Sequence, residues 1–170
     1  MSWPPKQKES SDDGLPSLEN AGAYAQLDRD GWQVKYAEEF TIRFGEVDHA
    51  RVVYYPRFFH YFHRTFEDWF GDALGISYRE IIVERNIGFP AVRIETQFKS
   101  PLRFGERIRV ELELVRVGKK SITIRYTITR VADGVLATTA EITTVAIDND
   151  TFKAISIPDD LRERFERFRT

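Results

Sequence analysis

One carboxylate, Asp48, lies a short loop ahead of a very aromatic segment that begins at Pro56. Proline has a fixed φ and no N–H, so Pro56 suits the first position of a helix, and Tyr55 then lies at the cap with its backbone N–H free. A free N–H at a helix N-terminus attracts negative charge. Aspartate is also common as a turn or cap residue, but Asp48 is too far ahead of Pro56 to be its N-cap. The spacing therefore predicts a catalytic carboxylate beside a helix start.

The aromatic segment has the period of a helix with one buried face. At about 100° per residue, its apolar residues fall in a stripe about 120° wide. The stripe contains Phe58, Phe59, Phe62, Phe66, Trp69, Phe70 and Ala73. Phenylalanine, tyrosine and histidine are only moderate helix formers, so packing must stabilise this segment. We predict a helix over about Pro56 to Leu74 that packs on a sheet.

Most of the remaining chain alternates apolar and polar residues, which is the pattern of half-buried strands. The alternating segments are Phe40–Phe44 ahead of the helix, then Val92–Phe98, Ile108–Leu114, Ile122–Ile128 and Leu136–Ile147, with a last short strand at Phe152–Ile157. A short helix through about Glu84 and a charged helix from Pro158 complete the elements. One amphipathic helix cannot cover both faces of so long a sheet. We therefore predict an α+β fold, a curved antiparallel sheet of five to six strands wrapped around one long helix.

Composition restricts the class of protein and its partners. The 170 residues are 42% hydrophobic, enough for one domain over residues 33–170, and residues 1–32 are expected to form a mobile arm because they contain few apolar positions. The net charge of −2 argues against nucleic acid as a partner. The absence of cysteine excludes disulfides, Cys-ligated zinc and thiol nucleophiles. No segment approaches the ~18 apolar residues of a membrane span, so we expect a cytoplasmic protein.

Two motifs flank the loop of Asp48. They are Phe44-Gly45-Glu46-Val47-Asp48 at the end of the first strand and Val53-Tyr54-Tyr55-Pro56 at the helix start. Further matches are Val83-Glu84-Arg85 with Gly88 and Pro90, Lys120-Ser121 at a hairpin, and Ala154-Ile155-Ser156-Ile157-Pro158 near the end. On these motifs, the chain from about Ala37 to Phe165 resembles the 4-hydroxybenzoyl-CoA thioesterase family of the hot-dog fold.

The resemblance implies hydrolysis of an acyl-CoA thioester to a free acid and CoA. Asp48 would act as nucleophile or general base, and the N–H of Tyr55 would stabilise the oxyanion. These are the two groups to which the helix start already points. The chain departs from the family at Arg51, where many relatives have a small residue or Gly, and at His49, where Pro or Ala is usual. Both departures bear on loop geometry and on the acyl preference.

The resemblance also implies where the substrate binds. The acyl group is expected along the helix against Phe59 and His63, with Gly88, Phe89 and Pro90 contributed by a neighbouring subunit. In relatives that recognise a hydroxylated aromatic acyl group, an acidic residue occupies roughly the position of His63. The alternative interpretation of His63 is a histidine at the edge of the core that is hydrogen-bonded within the protein. The family binds the phosphates of CoA near the hairpin of Lys119 and Lys120, although two lysines in a turn are usually a solvated feature. A metal site at His60 and His63 is not expected, because the two side chains differ by about 60° around the helix. No cofactor is expected either.

Two alternatives remain open. A hot-dog dehydratase acting on hydroxyacyl thioesters would need a catalytic histidine, for which His49 is the only loop candidate, and a carboxylate on the buried helix face, which has none. A non-catalytic acyl-CoA-binding protein would explain Arg51 as blocking the site.

A homodimer or homotetramer is expected, because a single helix leaves a face or edge of the sheet uncovered.

Overall fold

The computed structural model describes residues 35–166 and 168, so the predicted arm over residues 1–32 lies outside the described residues. The helices are α1 (Pro56–Asp72) and α2 (Asp159–Glu166), with a 3₁₀ turn at Phe44–Glu46 and a π-helical turn at Glu80–Glu84. The strands are β1 (Tyr36–Thr41), β2 (Ile87–Gly88), β3 (Ala91–Phe98), β4 (Arg107–Val117), β5 (Ser121–Arg130), β6 (Leu136–Val145) and β7 (Ile147–Asp148). Within the described residues, no helix is long and apolar enough to cross a membrane.

The long strands form a five-stranded antiparallel sheet in the order β1-β4-β5-β6-β3. The short strands β2 and β7 pair separately. Alternate residues of β4 and β5 are buried in the core that contains α1, among them Ile108, Val110, Ile122 and Ile124. This is the period of two that a strand with one buried face requires. The predicted α+β hot-dog fold, with a sheet wrapped around one long helix, is confirmed.

The aromatic face of α1 packs on the sheet and on α2. Tyr61 packs on Phe40 of β1 with ring centroids 5.4 Å apart, and Phe62 packs on Tyr126 of β5 at 4.8 Å. Near the end of α1, Trp69 stacks on a ring of α2 at 5.5 Å. Aromatic pairs of this kind add to the free energy that burial alone supplies. The middle of α1 is therefore fixed by the sheet and its end by α2.

The predicted first strand extends too far. Phe44 is 79% exposed and begins the 3₁₀ turn instead of continuing the alternation. The carboxylate of Glu46 accepts a hydrogen bond from the N–H of Arg43 and turns the chain at this point. The consequence is that the loop of Asp48 starts directly after a turn and not after a strand.

The predicted last strand, Phe152–Ile157, is reduced to one bridge between Ile147 and Ala154. The carboxylate of Asp148 accepts hydrogen bonds of 2.8 Å from both the N–H and the hydroxyl of Thr151. This side-chain turn competes with the strand ladder for the same residues.

The strand β3 is at one edge of the sheet. Its residues are all exposed or half-buried, and apolar Val92, Ile94 and Phe98 are 61%, 48% and 51% exposed. An edge strand presents unpaired N–H and C=O groups, and apolar side chains beside them favour pairing with another strand. This edge is therefore a surface on which the chain can associate.

Candidate active site

The loop that carries Asp48 is a tight hairpin closed by a bridge between Val47 and Val53. The N–H of Asp48 donates to Val52 O at 2.9 Å. Oδ1 of the Asp48 carboxylate accepts a hydrogen bond of 2.8 Å from the N–H of Ala50. The side chain is exposed, and its Oδ2 accepts no hydrogen bond from the described residues. Asp48 is thus held in one orientation by the turn and still offers one carboxylate oxygen for chemistry.

Arg51 closes this hairpin in a backbone conformation that disfavours its side chain. Its N–H donates to Asp48 O at 2.9 Å, and its φ is 63°. A three-residue hairpin loop commonly ends in such a left-handed residue, where glycine is favoured because it has no Cβ. This geometry gives a physical reason why a small residue would suit position 51. The Arg51 side chain is exposed.

The start of α1 leaves one N–H free beside this loop. The N–H of Val53 donates to Leu102 O at 2.8 Å and that of Tyr54 to Glu46 O at 2.9 Å. Tyr55 is the N-cap and Pro56 follows it, and the N–H of Tyr55 finds no acceptor among the described residues. An unpaired N–H at a helix N-terminus is a site for negative charge. The bridge between Val47 and Val53 brings this donor and Asp48 to the same end of α1.

A cavity of about 340 Å³, the outer cavity, lies at this helix start. Its residues come from the Asp48 hairpin, from α1 and from the end of β3 and the segment that follows. They are Val52, Val53, Tyr55, Phe58, Phe98, Lys99, Ser100, Pro101 and Leu102. The rings of Phe58 and Phe98 pack at 5.1 Å. Sequence reasoning missed the contribution of residues 98–102, because nothing in a period-2 pattern indicates that a strand end faces a helix start.

A second cavity of about 270 Å³, the inner cavity, lies further along α1. Its walls are formed by α1, by the segment that leads into β3, and by the sheet. The lining residues are Phe59, Phe62, His63, Phe66, Phe89, Pro90, Ala91, Ile94, Tyr126, Ile142 and Thr144. Four of the predicted substrate-binding residues, Phe59, His63, Phe89 and Pro90, are thus brought together. They come from one chain, whereas the sequence prediction took Phe89 and Pro90 from a neighbouring subunit.

Both cavities are bounded by α1 and β3. The outer cavity contains Tyr55 and Phe98, and the inner one contains Phe62 and Ile94. Seven residues separate Tyr55 from Phe62, a rise of about 10 Å along a helix. The inner cavity therefore lies further along the same helix from the N–H of Tyr55.

Comparison with known proteins agrees with this fold. The model of the thioesterase-like superfamily matches residues 42–165. The chain belongs to this superfamily. The match spans the Asp48 hairpin, the residues that line both cavities and most of α2, and it bears out the predicted resemblance at the level of the superfamily. The narrower 4-hydroxybenzoyl-CoA branch stays a prediction.

Relatives of known name point in the same direction. The chain is 31% identical over 93 residues to a 1,4-dihydroxy-2-naphthoyl-CoA hydrolase of Prochlorococcus marinus, a match covering 51% of this chain and 59% of that protein. It is 26% identical over 129 residues to the protein of the same name from Synechococcus elongatus, covering 75% of this chain and 93% of the relative. A solved 1,4-dihydroxy-2-naphthoyl-CoA thioesterase from Synechocystis superposes with a TM-score of 0.71 at 22% identity, covering 77% of this chain and 95% of the other, which shows the shared fold.

In this member of the superfamily, His63 is on the wall of the inner cavity and paired within the protein. Its Nε2 lies 2.8 Å from Oε1 of Glu67, one helical turn further on, and both side chains are about half exposed. The imidazole also packs against Tyr78 at 6.1 Å. Burial and the charge of Glu67 raise the pKa of Tyr78 to about 12. His63 can therefore contact a ligand while Glu67 orients its ring.

Gly88 does not line the inner cavity. It is buried in β2, where a Cβ atom would lie 2.3 Å from Oδ1 of Asn149 and 3.1 Å from a side-chain carbon of Ile147. Glycine is needed here for the close approach of these side chains. Its place directly before Phe89 and Pro90 explains why a sequence motif groups the three.

The two predicted CoA-binding lysines, in the hairpin between β4 and β5, differ in their contacts. Nζ of Lys120 donates to Ala154 O at 2.7 Å, so this cation ties the hairpin to the C-terminal segment. Lys119 is exposed and lines a cavity of about 450 Å³ together with Ser156, Asp159 and Arg162. Arg162, which sequence reasoning missed, donates to the carbonyls of Gly118 and Lys119 at 2.7 and 3.1 Å.

Within the described residues, no group of three or more His, Asp or Glu side chains could hold a metal ion.

Proposed function

We propose that this chain hydrolyses an aromatic acyl-CoA thioester. The observation that carries the proposal is the free N–H of Tyr55 at the start of α1, in the same hairpin unit as the exposed carboxylate of Asp48. A donor at a helix start and a carboxylate are the two groups that thioester hydrolysis requires. The names of the relatives support the same reaction class.

The carbonyl oxygen of the thioester binds at the N–H of Tyr55, which stabilises the negative charge that develops on it. Asp48 then acts in one of two ways. As a nucleophile its oxygen bonds to the carbonyl carbon, the C–S bond breaks, and water hydrolyses the resulting anhydride. As a general base it takes a proton from water while the water oxygen bonds to the carbonyl carbon; the C–S bond then breaks, and the CoA thiolate takes up the proton. In both routes the products are the free acid and CoA.

The inner cavity takes the acyl group. Its aromatic side chains suit a flat ring, because offset and edge-to-face contacts with aromatic rings are favourable. Relatives that act on a naphthoyl-CoA agree with a ring of this class. We propose that CoA extends outward from the outer cavity and that its phosphates reach Lys119, as the resemblance implies.

We propose that the functional unit is at least a homodimer joined through β3. This edge borders both cavities through Ile94 and Phe98, so a partner strand there would complete their walls. A tetramer would add a second contact surface to the same dimer.

A panel of aryl-CoA, fatty acyl-CoA and 3-hydroxyacyl-CoA thioesters tests the proposal. We expect release of free thiol, fastest with the aryl-CoA esters. Enoyl product without thiol release would indicate a dehydratase, although no carboxylate is among the buried residues of α1. Tight binding of the esters without any product would indicate an acyl-CoA-binding protein.

A further inference from the structure

The inner cavity is apolar except at three of its lining residues, His63, Tyr126 and Thr144. Thr144 is 7% exposed, and its buried hydroxyl oxygen has no hydrogen-bond partner among the described residues. Tyr126 is 3% exposed, and its hydroxyl likewise makes no hydrogen bond to a described residue. Both hydroxyl groups therefore belong to residues that line an aromatic cavity, and neither has a partner among the described residues.

An unpaired buried hydroxyl lowers the stability of a fold. At position 144, valine would fill nearly the same volume without that cost, and at position 126 phenylalanine would place the same ring at the cavity without an unpaired hydroxyl. The β-sheet pattern requires only an inward-facing residue at each place. A ligand group that forms hydrogen bonds to these hydroxyls would explain why both positions have one.

The two residues enter the cavity from neighbouring strands. Thr144 of β6 is paired with Ala91 of β3 and Ile122 of β5. Tyr126 of β5 is paired with Ala140, four residues before Thr144 along β6. The ring of Tyr126 packs on Phe62 of α1 with centroids 4.8 Å apart, so the Tyr126 hydroxyl is attached to a ring that is itself in aromatic contact with α1. The positions are separate enough to contact different substituents of one ring.

We propose that Tyr126 and Thr144 determine substrate specificity by hydrogen bonding to hydroxyl substituents on an aromatic acyl group held against Phe62. This inference rests on the proposed function and names the substrate class of the same site. An alkyl chain or an unsubstituted ring would leave both hydroxyls unpaired. A site built to bond to a substrate hydroxyl discriminates strongly against the analogue that lacks it.

The test compares 1,4-dihydroxy-2-naphthoyl-CoA with 2-naphthoyl-CoA as substrates. Intrinsic reactivity differs between the two esters, so the quantity of interest is the change in their kcat/KM ratio between variant and parent. We expect Thr144→Val and Tyr126→Phe each to lower the ratio about tenfold, the size of one lost hydrogen bond, by slowing only the dihydroxy ester. Thr144→Ser retains the hydroxyl and should retain the ratio. An unchanged ratio in both Thr144→Val and Tyr126→Phe would overturn the inference.

Thr138→Val is the matched control. Thr138 is on the same strand, is fully buried and has a hydroxyl without a partner among the described residues, but it does not line the inner cavity. Its substitution should leave the ratio of the two esters unchanged. A ratio that falls equally in Thr138→Val and Thr144→Val would attribute the effect to repacking and contradict the inference.

Binding of the free acids separates this inference from the proposed function. Calorimetry with 1,4-dihydroxy-2-naphthoate and 2-naphthoate requires no turnover. The protein could hydrolyse none of the thioesters and still prefer the dihydroxy acid. If Thr144→Val removed that preference, the result would support the specificity residues and overturn the thioesterase proposal. Hydrolysis of both esters with no preference in ratio or affinity would overturn the specificity residues alone.

Discussion

At the scale of single residues, Asp48 combines a turn contact with an available carboxylate oxygen, and one substitution separates the two. Asp48→Asn keeps an oxygen that can accept the hydrogen bond from Ala50 N–H but removes the nucleophile or base. We expect kcat to fall by about two to four powers of ten, as for loss of a positioned acid-base group, with little change in Tm. Thiol release and a thermal melt on the same preparation measure both quantities.

Asp133→Asn is the control for this substitution. Its carboxylate accepts a hydrogen bond from the N–H of Val135 in another hairpin, the same local turn that Asp48 makes. Asp133→Asn likewise keeps an oxygen that can accept the turn hydrogen bond, and it should leave kcat intact. If Asp48→Asn behaves like Asp133→Asn and keeps kcat within threefold of the parent, Asp48 is not catalytic.

Arg51 has a backbone conformation that favours glycine over a residue with a side chain. Its φ of 63° costs a residue with a Cβ roughly 1–2 kcal/mol, and part of the gain from glycine is lost to the greater entropy of the unfolded chain. We expect Arg51→Gly to raise the free energy of unfolding by about 0.5–1 kcal/mol in a denaturant titration and to retain thioester hydrolysis. Arg51→Ala removes the same charge but keeps the Cβ, so it should not stabilise. Hydrolysis that is absent in the parent but appears in both Arg51→Gly and Arg51→Ala would mean instead that the Arg51 side chain blocks the site.

At the scale of elements, α1 and the long strands are predictable because each has one buried face and a regular period. Alternation in β4 and β5 gives the buried side of every residue. Alternation does not say whether an inward residue packs in the core or lines a cavity, so Tyr126 and Thr144 could not be chosen from the sequence. The turns at Glu46 and Asp148 depend on side-chain hydrogen bonds that compete with strand pairing, which is why the first and last strands were predicted too long.

The hairpin between β4 and β5 gives a prediction about CoA. Lys119 is exposed, whereas Lys120 is bonded to Ala154 O. We expect Lys119→Ala to raise KM for the CoA ester with kcat much less changed, because phosphate contacts bind ground and transition states alike. The effect should be absent with the acyl-pantetheine ester, which lacks the nucleotide phosphates. Lys120→Ala should lower Tm instead, and an unchanged KM for the CoA ester in Lys119→Ala at low salt would place the phosphates elsewhere.

The contact between β1 and α1 gives a pH dependence of stability. Burial and the nearby charge of Asp68 raise the pKa of Glu38 to about 7, and the hydroxyl of Tyr36 donates to Glu38 at 3.0 Å and to Asp72 at 2.9 Å. A folded-state pKa above the unfolded value of about 4.5 stabilises the fold at low pH, and this contribution is lost as the pH rises through 7. We expect Glu38→Gln to be more stable than the parent at pH 8 by on the order of 1 kcal/mol, allowing for solvent screening, and to lose this advantage towards pH 5.

Chemical denaturation at pH 5, 6.5 and 8 measures this difference. Glu39→Gln is the matched control, because Glu39 is the next residue of β1 and pairs with Arg107 instead of facing the carboxylates of α1. A difference between Glu38→Gln and the parent that does not grow between pH 5 and pH 8 would contradict the assignment.

At the scale of the whole molecule, the β3 edge of the sheet exposes apolar side chains and pairs with no other strand of the described residues. β3 exposes Val92, Ile94 and Phe98 along an edge that also borders both cavities. Apolar side chains beside unpaired backbone groups favour addition of an identical strand, and closed two-fold assemblies are the commonest outcome for such self-complementary surfaces. Assembly and the active site are therefore expected to depend on each other.

Sedimentation velocity at micromolar concentration tests this dependence. We expect the parent to sediment as a dimer or a larger assembly, and Val92→Lys to shift it towards monomer, since a charged side chain on an edge strand disfavours pairing with another strand. Val92 lines neither cavity, so a fall in kcat/KM that follows the monomer fraction would come from lost assembly and not from a changed pocket wall. Val131→Lys places the same charge on another exposed apolar residue, after the end of β5, and should change neither mass nor activity. A parent protein that is monomeric and fully active would refute the dependence, because the two cavities would then be complete within one chain.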